Sequence, residues 1–369
     1  MQISCGQLQL LKGIQIVNRA ISSRTTMPIL ANVLLETIKD GIKVVATDLE
    51  LGIQTSVSAT VTRGGAITLP ARLLTEVVAS FSDATVRLRV EENSAQAEIV
   101  CEDTSFEILG APATDFPFIP EVDALVTVAI EVGLLRTMVR QTAFAVSTDE
   151  TRPFLTGVFV AMENGEMRVV ATDGGRLALR SAKLPRSANR KFSMIVPVKT
   201  MQELARALSG VSGDATVTLG ESHVMFNLPE VRLVSRLISG QFPNYQQVIP
   251  QTHKQRLKLN TERFLRAVRR AAITARDSAN VVRLSAKGEE LTITSNTPEV
   301  GKALEKVPVQ TEGEAVQVAF NARYLMDCLT ILETDEVILE LTGSLSPGVI
   351  RPVGQQDYVY VLAPVRVYG

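Results

Sequence analysis

The chain lacks most of what would mark it for export, metal binding or catalysis. Its three cysteines, Cys5, Cys101 and Cys328, lie far apart, are odd in number and include no C-x-x-C pair. That argues against a disulfide framework and a structural zinc site, and it fits a reducing compartment. The two histidines, His223 and His253, have no acidic or cysteine partner at metal-ligand spacing and read as ordinary surface or loop residues. No phosphate loop of the G-x-x-x-x-G-K type, no G-x-S-x-G elbow and no G-x-G-x-x-G after a strand is present. No cofactor and no metal are therefore expected. Residues Met1 to Gly13 are polar and mixed, unlike a signal peptide. No apolar run approaches the roughly 20 residues that span a membrane. The expectation is a cytoplasmic protein with no membrane partner.

What is present is a folded composition, 46% hydrophobic and 21% charged over 369 residues. Within it a unit of about 125 residues, the size of a domain, occurs three times. Leu10-Leu11-Lys12 recurs as Leu134-Leu135-Arg136 and as Phe264-Leu265-Arg266. Val44-Val45-Ala46-Thr47-Asp48 recurs as Val169-Val170-Ala171-Thr172-Asp173, and in weakened form as Leu291-Thr292-Ile293-Thr294-Ser295. A second helix opens at Leu69-Pro70-Ala71-Arg72, Val196-Pro197-Val198-Lys199 and Phe320-Asn321-Ala322-Arg323. Proline costs nothing in a first helical turn, and Asn321 is a good N-cap. Phe116-Pro117 is matched by Phe242-Pro243.

Between these landmarks the period is 2, as in Val86-Arg87-Leu88-Arg89-Val90, and Asp40-Gly41, Asn164-Gly165 and Lys287-Gly288 supply turns. Each copy reads as an α+β domain with two helices packed on one face of antiparallel sheet. The domains run over 1–121, 125–250 and 254–369. Asp48 and Asp173 hold equivalent strand ends, which favours a structural role over catalysis. Asp173-Gly174-Gly175-Arg176 resembles a phosphate-binding turn, but a tight turn after a strand explains it more simply.

Charge is segregated by element. Segment 11–24 carries +3, segment 134–148 carries +2 and segment 262–276 carries +4, in a molecule of net charge −1. The rest of the chain therefore carries −10. In the third segment Phe264, Leu265, Val268, Ala272 and Ala275 form one helical stripe, while Arg263, Arg266 and Arg270 fall within about 60° on the other side. One such face is usually just solvated. Three equivalent ones suggest a surface for a polyanion, and a concave basic surface would bind duplex DNA without reading bases.

At this point the motifs resemble a known family. Arg24-Thr25-Thr26-Met27-Pro28-Ile29-Leu30, Ala46-Thr47-Asp48-Leu49-Glu50, Ala171-Thr172-Asp173-Gly174 through Leu177, Ile195-Val196-Pro197 and Phe242-Pro243-Asn244-Tyr245 look like the β subunits of bacterial DNA polymerase III, the β sliding clamps. The likeness runs end to end. It implies a non-enzymatic processivity factor built from three DNA-clamp domains, closing a ring as a head-to-tail homodimer around duplex DNA. For DNA it carries over Arg24, Arg72 and Phe154. With the basic helices and their flanks this gives a candidate set that adds Arg136, Arg140, Pro153, Lys199, Arg263, Arg266 and Arg270. Asp149 replaces a neutral amide and Pro153 an aromatic, and both changes weaken the contact expected there.

The dimer contact resembles Phe106 and Ile108 meeting Ile273, with Thr274 more polar than is usual. A partner-peptide cleft is implied at Leu155, Thr172, Gly174, Gly175, Arg176, Leu177, Pro243, Val248, Val361, Leu362, Pro364, Val365 and Arg366. The family usually has histidine where Gly175 stands, and here Tyr368 and Gly369 extend the C-terminus. Implied partners are the DNA polymerase III α subunit, the clamp loader δ subunit and other clamp-binding-motif proteins of replication and repair. The competing readings are an enzyme of nucleic-acid metabolism with an unrecognised site, and a protein-binding scaffold that never touches DNA.

Overall fold

The computed structural model describes the chain apart from residues 23–26, 92–93, 185–190, 277–278, 299 and 367–369. The first copy runs β1 (Gln2–Gly6), α1 (Gln7–Val17), β2 (Asn32–Ile38), β3 (Gly41–Thr47), β4 (Leu51–Ser58), β5 (Thr60–Arg63), β6 (Ala66–Pro70), α2 (Ala71–Ser80), β7 (Thr85–Val90), β8 (Gln96–Cys101) and β9 (Thr104–Leu109). The second runs β10 (Val126–Glu131), α3 (Val132–Thr142), β11 (Gly157–Glu163), β12 (Glu166–Thr172), β13 (Arg176–Lys183), β14 (Phe192–Pro197), α4 (Val198–Ala207), β15 (Asp214–Leu219), β16 (His223–Asn227) and β17 (Val231–Arg236). The third runs β18 (Gln255–Asn260), α5 (Thr261–Ile273), β19 (Val281–Lys287), β20 (Glu290–Thr297), β21 (Gly301–Pro308), β22 (Gln310–Gly313), β23 (Gln317–Asn321), α6 (Ala322–Ile331), β24 (Glu336–Leu341), β25 (Gly348–Pro352) and β26 (Tyr358–Leu362). Strand, helix, strands, helix, strands thus recurs three times, as the landmarks predict. Among the described residues, no helix is long and apolar enough to cross a membrane.

Each copy splits its strands between two antiparallel sheets, where the sequence predicts one. The chain forms two compact units, Met1–Leu134 with Glu203–Leu237, and Leu135–Gln202 with Ile238–Gly369. The first unit holds a five-stranded sheet, β5-β1-β7-β8-β9, and an eight-stranded one, β10-β15-β16-β17-β4-β3-β2-β6. The second holds a nine-stranded sheet, β14-β11-β12-β13-β26-β25-β24-β18-β22, and a four-stranded one, β21-β20-β19-β23. The long sheets are continuous because β17 pairs with β4 and β13 pairs with β26. Alternation gives a strand its buried face but not its neighbour, so this joining is not legible in the sequence.

In the first unit α1 buries Leu10, Gly13, Ile14 and Val17, spaced three or four apart, against β3 and β4. Gly13 is needed for close approach, since a Cβ there would lie 2.5 Å from Val57 Cγ2. In the second unit α5 buries Phe264, Ala267, Val268, Ala271 and Ala272. Phe264 and Val268 are fully buried, and such burial contributes about 1.5–3 kcal/mol per large side chain. Asn260 and Asn321 cap α5 and α6 by accepting from the N–H groups of Arg263 (3.0 Å) and Arg323 (2.9 Å). The helices are shorter than the charged segments. Arg19 lies in a 3-10 turn after α1, and Arg276 lies beyond α5.

Two turns differ by a residue. At 287–288 Lys287 pairs with Glu290, so Gly288 and Glu289 make the bend. The hairpin at 40–41 shifts the other way. Ile38 pairs with Gly41, so Lys39 and Asp40 make the bend and Gly41 is already strand. A Cβ on Gly41 would sit 2.2 Å from the Val57 carbonyl oxygen, so glycine is there for close packing. At 164–165 the prediction holds, because Asn164 (φ 52°) and Gly165 (φ 73°) form the bend.

Candidate functional site

The second unit contains an apolar cleft of about 460 Å³ built around the turn between β12 and β13. Asp173 Oδ1 accepts from the N–H groups of Gly175 (2.8 Å) and Arg176 (3.0 Å). Thr172 Oγ1 accepts from Gly174 N–H and donates to the Arg176 carbonyl. These bonds hold Gly174 at φ +92°, a left-handed conformation that favours glycine. Asp173 therefore has the structural role at a strand end that its repeat position implies. β13 then pairs with β26, Leu177 opposite Val361, and the N–H of Ala363 donates to the Gly175 carbonyl at 2.9 Å.

Leu155, Leu177 and Val361 belong to a buried cluster with Val170, Ile195, Phe242, Val349 and Val359. Phe159 stacks on Phe242 at 4.8 Å. Pro243, Asn244, Tyr245, half-exposed Val248 and Pro347 complete the wall. A space of this size, apolar below and polar at the rim, suits a few side chains of a peptide.

Two arginines border it, in different states. Arg176 is 9% exposed and ion-paired to Asp173 and Asp327. It also donates to the Phe144 carbonyl at 2.9 Å, and its guanidinium lies 4.4 Å from the Tyr324 ring centre. Burial opposes its charge, but Tyr360, Asp327 and Asp173 outweigh that and its pKa stands above the usual arginine value. Burial, with Asp173 nearby, likewise raises the Tyr324 hydroxyl. Gly175 makes this stack possible, since a Cβ there would be 3.0 Å from Tyr324 Cε2. Arg152 is half-exposed and paired through Nε with Asp149 Oδ2 at 2.9 Å. The Thr151 hydroxyl and N–H, then Arg152, hold the Asp149 carboxyl below the usual carboxylate range.

Of the thirteen residues assigned to the cleft, Leu155, Thr172, Gly174, Gly175, Arg176, Leu177, Pro243, Val248 and Val361 line it. Leu362, Pro364, Val365 and Arg366 do not. Leu362 is fully buried on β26, where every residue is buried, so alternation cannot show which side chain reaches the cleft. Val365 borders a separate cavity with Arg283 and Leu345. The sequence reading missed Arg152, Asn244, Tyr245, Pro347 and Ala363, and it assigned Phe154, which lines the cleft, to DNA. Asn244 and Tyr245 belong to the Phe242-Pro243-Asn244-Tyr245 motif, which in sequence gives them no role. Nothing local marks Arg152.

The basic residues are spread over several elements. Arg263, Arg266 and Arg270 are exposed on α5, as the stripe predicts. Arg266 pairs with Glu262, and Arg270 makes a two-pronged pair with Glu305. Arg72 on α2 pairs with Glu76, and Arg140 on α3 with Glu333. Arg136 on α3 and Lys199 on α4 are half-buried, Pro153 is exposed in a 3-10 turn, and Arg24 lies outside the described residues. Exposed pairs of this kind are worth about 0–1 kcal/mol and can open for a phosphate.

The residues assigned to the dimer contact differ in exposure. Phe106 is exposed on the edge strand β9, while Ile108 on the same strand is only 2% exposed. Its neighbour Leu109 is 74% exposed. The run Ile108-Leu109 leaves the outward face ambiguous in sequence. Ile273 is exposed at the end of α5, and Leu304 is exposed on the edge strand β21. Thr274 is half-buried, with its hydroxyl 2.6 Å from that of Ser295. Among the described residues, no group of three or more His, Cys, Asp or Glu is placed to hold a metal ion.

Comparison with known proteins covers the whole chain. The N-terminal, central and C-terminal domains of the DNA polymerase III beta subunit match residues 1–120, 129–244 and 246–366. The beta sliding clamp of Bacillus subtilis (strain 168) is 36% identical over 371 residues, 98% of each chain. A crystal structure of the DNA polymerase sliding clamp from Bacillus subtilis superposes with TM-score 0.95 at 35% identity, covering 100% of both chains. A sliding clamp from Bartonella birtlesii, solved bound to griselimycin, superposes with TM-score 0.95 at 32% identity over the full length of both.

Proposed function

The chain belongs to the DNA polymerase III beta subunit family, the beta sliding clamps, and from that premise we propose how its residues perform the family's task. Its function is that of a DNA sliding clamp, a processivity factor of DNA replication and a non-catalytic accessory subunit. DNA and the replicative polymerase are its partners. The end-to-end match of three clamp domains is the observation that carries this reading.

In the mechanism we propose, two chains associate head to tail and close a ring around duplex DNA. The three domains of each chain run over 1–121, 125–250 and 254–369. The interface joins Phe106 and Leu109 on β9 of one protomer to Ile273 and Leu304 of its partner. Two edge strands carrying exposed apolar side chains favour such an assembly. Arg24, Arg72, Arg136, Arg140, Lys199, Arg263, Arg266 and Arg270, with Pro153 and Phe154, meet the phosphate backbone. Contacts of that kind are sequence-blind and screened by salt, so the ring slides. The ring needs no tight affinity for DNA, because escape requires opening or reaching an end. A polymerase held at the cleft stays near its template at high effective concentration.

Within this reading the cleft takes short peptides anchored by Leu or Phe. The α subunit of DNA polymerase III, the δ subunit of the clamp loader and other clamp-binding-motif proteins supply them, in the cytoplasm. The test is to load the protein on nicked circular DNA with a clamp loader and then linearise the DNA. Release on linearisation is expected, and retention would contradict topological tethering. Reversing Arg263, Arg266 and Arg270 to glutamate is expected to impair the loaded state while leaving peptide binding intact.

A further inference from the structure

The two arginines at the cleft are not equally able to meet a ligand. Arg176 spends Nε on Asp173, Nη1 on Asp327 and Nη2 on the Phe144 carbonyl, and Tyr324 covers a face of its guanidinium. Another anion could reach it only by displacing a carboxylate from a largely buried pair, which is costly. Arg152 differs on every count. Its side chain is 45% exposed, and among the described residues only its Nε is engaged by a side chain, Asp149. Its Nη1 lies beside the glycine turn, 3.5 Å from where a Cβ on Gly174 would stand.

The backbone fixes the base of this side chain. Arg152 N–H donates to the Asp149 carbonyl at 3.1 Å, and Leu155 N–H donates to the Arg152 carbonyl at 2.9 Å. Asp149 is fixed as well, since its Oδ1 accepts from the Thr151 N–H (3.0 Å) and hydroxyl (2.6 Å) while Oδ2 meets Arg152. An arginine whose Nη groups meet no side chain among the described residues, at the mouth of an apolar cleft, is suited to a pair of anionic oxygens, and on an unmodified peptide that group is a carboxylate.

We propose that Arg152 is the cation by which the cleft recognises a carboxylate on a bound peptide, and that Asp149 competes with that carboxylate from within the chain. This rests on the cleft being the peptide site. The carboxylate is either a peptide C-terminus or an Asp or Glu side chain beside the apolar anchors. Asp149 partly neutralises Arg152 in the empty cleft, so acidic peptides bind less tightly than the open guanidinium alone would allow. The pair is exposed, so the competition amounts to a few-fold in affinity and does not block the site.

Fluorescence anisotropy on the full chain tests this with three labelled hexapeptides sharing Leu and Phe anchors. One is neutral with an amidated C-terminus, one has a free C-terminal acid, and one is amidated with an internal Asp. Asp149→Asn keeps an oxygen for the Thr151 turn, and it is expected to tighten one or both acidic peptides roughly two- to fivefold and leave the neutral one unchanged. Whichever acidic peptide responds identifies the source. Arg152→Gln is expected to abolish the preference for acid, and the double variant to behave as Arg152→Gln alone. Acid preference surviving in Arg152→Gln, or an equal change for all three peptides in Asp149→Asn, overturns the proposal. If no peptide binds the unaltered chain, it is the cleft assignment itself that fails.

Discussion

The turn at Thr47–Leu51 and the turn at Thr172–Arg176 are the same device used for two ends. In each, the threonine hydroxyl accepts from the N–H two residues on, Leu49 at 3.0 Å and Gly174 at 3.1 Å. In each, one aspartate oxygen accepts from the next two N–H groups, Glu50 and Leu51 in the first, Gly175 and Arg176 in the second. Both put their third residue in the left-handed region, Leu49 at φ 76° and Gly174 at φ 92°. Both lead into a strand that joins sheets of adjacent copies, and both have a buried Phe before a Pro.

The tips differ. Leu49 and Glu50 carry side chains where Gly174 and Gly175 have none. Ile119 lies against Gly52, 2.6 Å from where its Cβ would stand, while the position equivalent to Gly52 is Leu177. The first junction opens instead into a 710 Å³ cavity lined by Glu36, Lys43 and Arg232 together with Phe116, Phe118 and Ile119, and by none of residues 47–51. Backbone and hydrogen bonds are thus common property, and the bare apolar cleft comes from a handful of side chains.

Four experiments would break or sharpen that comparison. The largest effect is expected in alkali. Burial raises Cys328, Tyr358 and Tyr360 in the second unit well above their usual values. In the first unit burial raises Cys5 from 9.0 to about 11. The folded state holds these protons longer than the unfolded chain, so stability is full below pH 9 and falls as pH rises through and beyond it. Cys5 accounts for ~2–3 kcal/mol between pH 9 and 11, and in the second unit Cys328, Tyr358 and Tyr360 all act in the same direction. Hydrogen exchange above pH 9 should therefore loosen the second unit first, and the reverse order would separate the two regions differently.

Next, Arg176→Leu installs the kind of residue found at Leu51 and strands Asp173 and Asp327. It is expected to cost about 3–5 kcal/mol in urea unfolding. A loss below ~1 kcal/mol would mean that the second turn needs its charges no more than the first does. Third, Gly174→Leu with Gly175→Glu copies the first tip onto the second. Peptide affinity should fall about tenfold, ~1.4 kcal/mol, as Tyr324 is displaced and the cleft mouth fills. Unchanged affinity would detach the glycines from function. Smallest, Ile119→Ala empties space in the first junction at about 1 kcal/mol and should create no peptide binding there, since that junction lacks a cleft of this lining. Binding gained at the first junction would show that space alone suffices.

Much of this was legible in sequence because it is local. The repeated Thr-Asp pairs, the capping Asn321 and the arginine face of α5 each depend on residues within one turn or helix. What stayed hidden depends on partners far along the chain. Nothing in Val231–Arg236 says that it pairs with Leu51–Ser58. The all-buried run Tyr358–Leu362 hides which side chain meets the cleft, and Ile108-Leu109 hides which one faces outward. Asp149 was visible only as a departure from a family pattern. Its pairing with Arg152, and the place of Arg152 at the glycine turn, emerge only when the loop is folded.

Hydrogen–deuterium exchange on the full chain, with and without a saturating Leu- and Phe-anchored peptide, tests the central claim most directly. Protection is predicted at 152–155, 172–177, 243–248 and 361–363, with none at 47–52 or 117–119. Protection at the first turn, or at both turns alike, would contradict it.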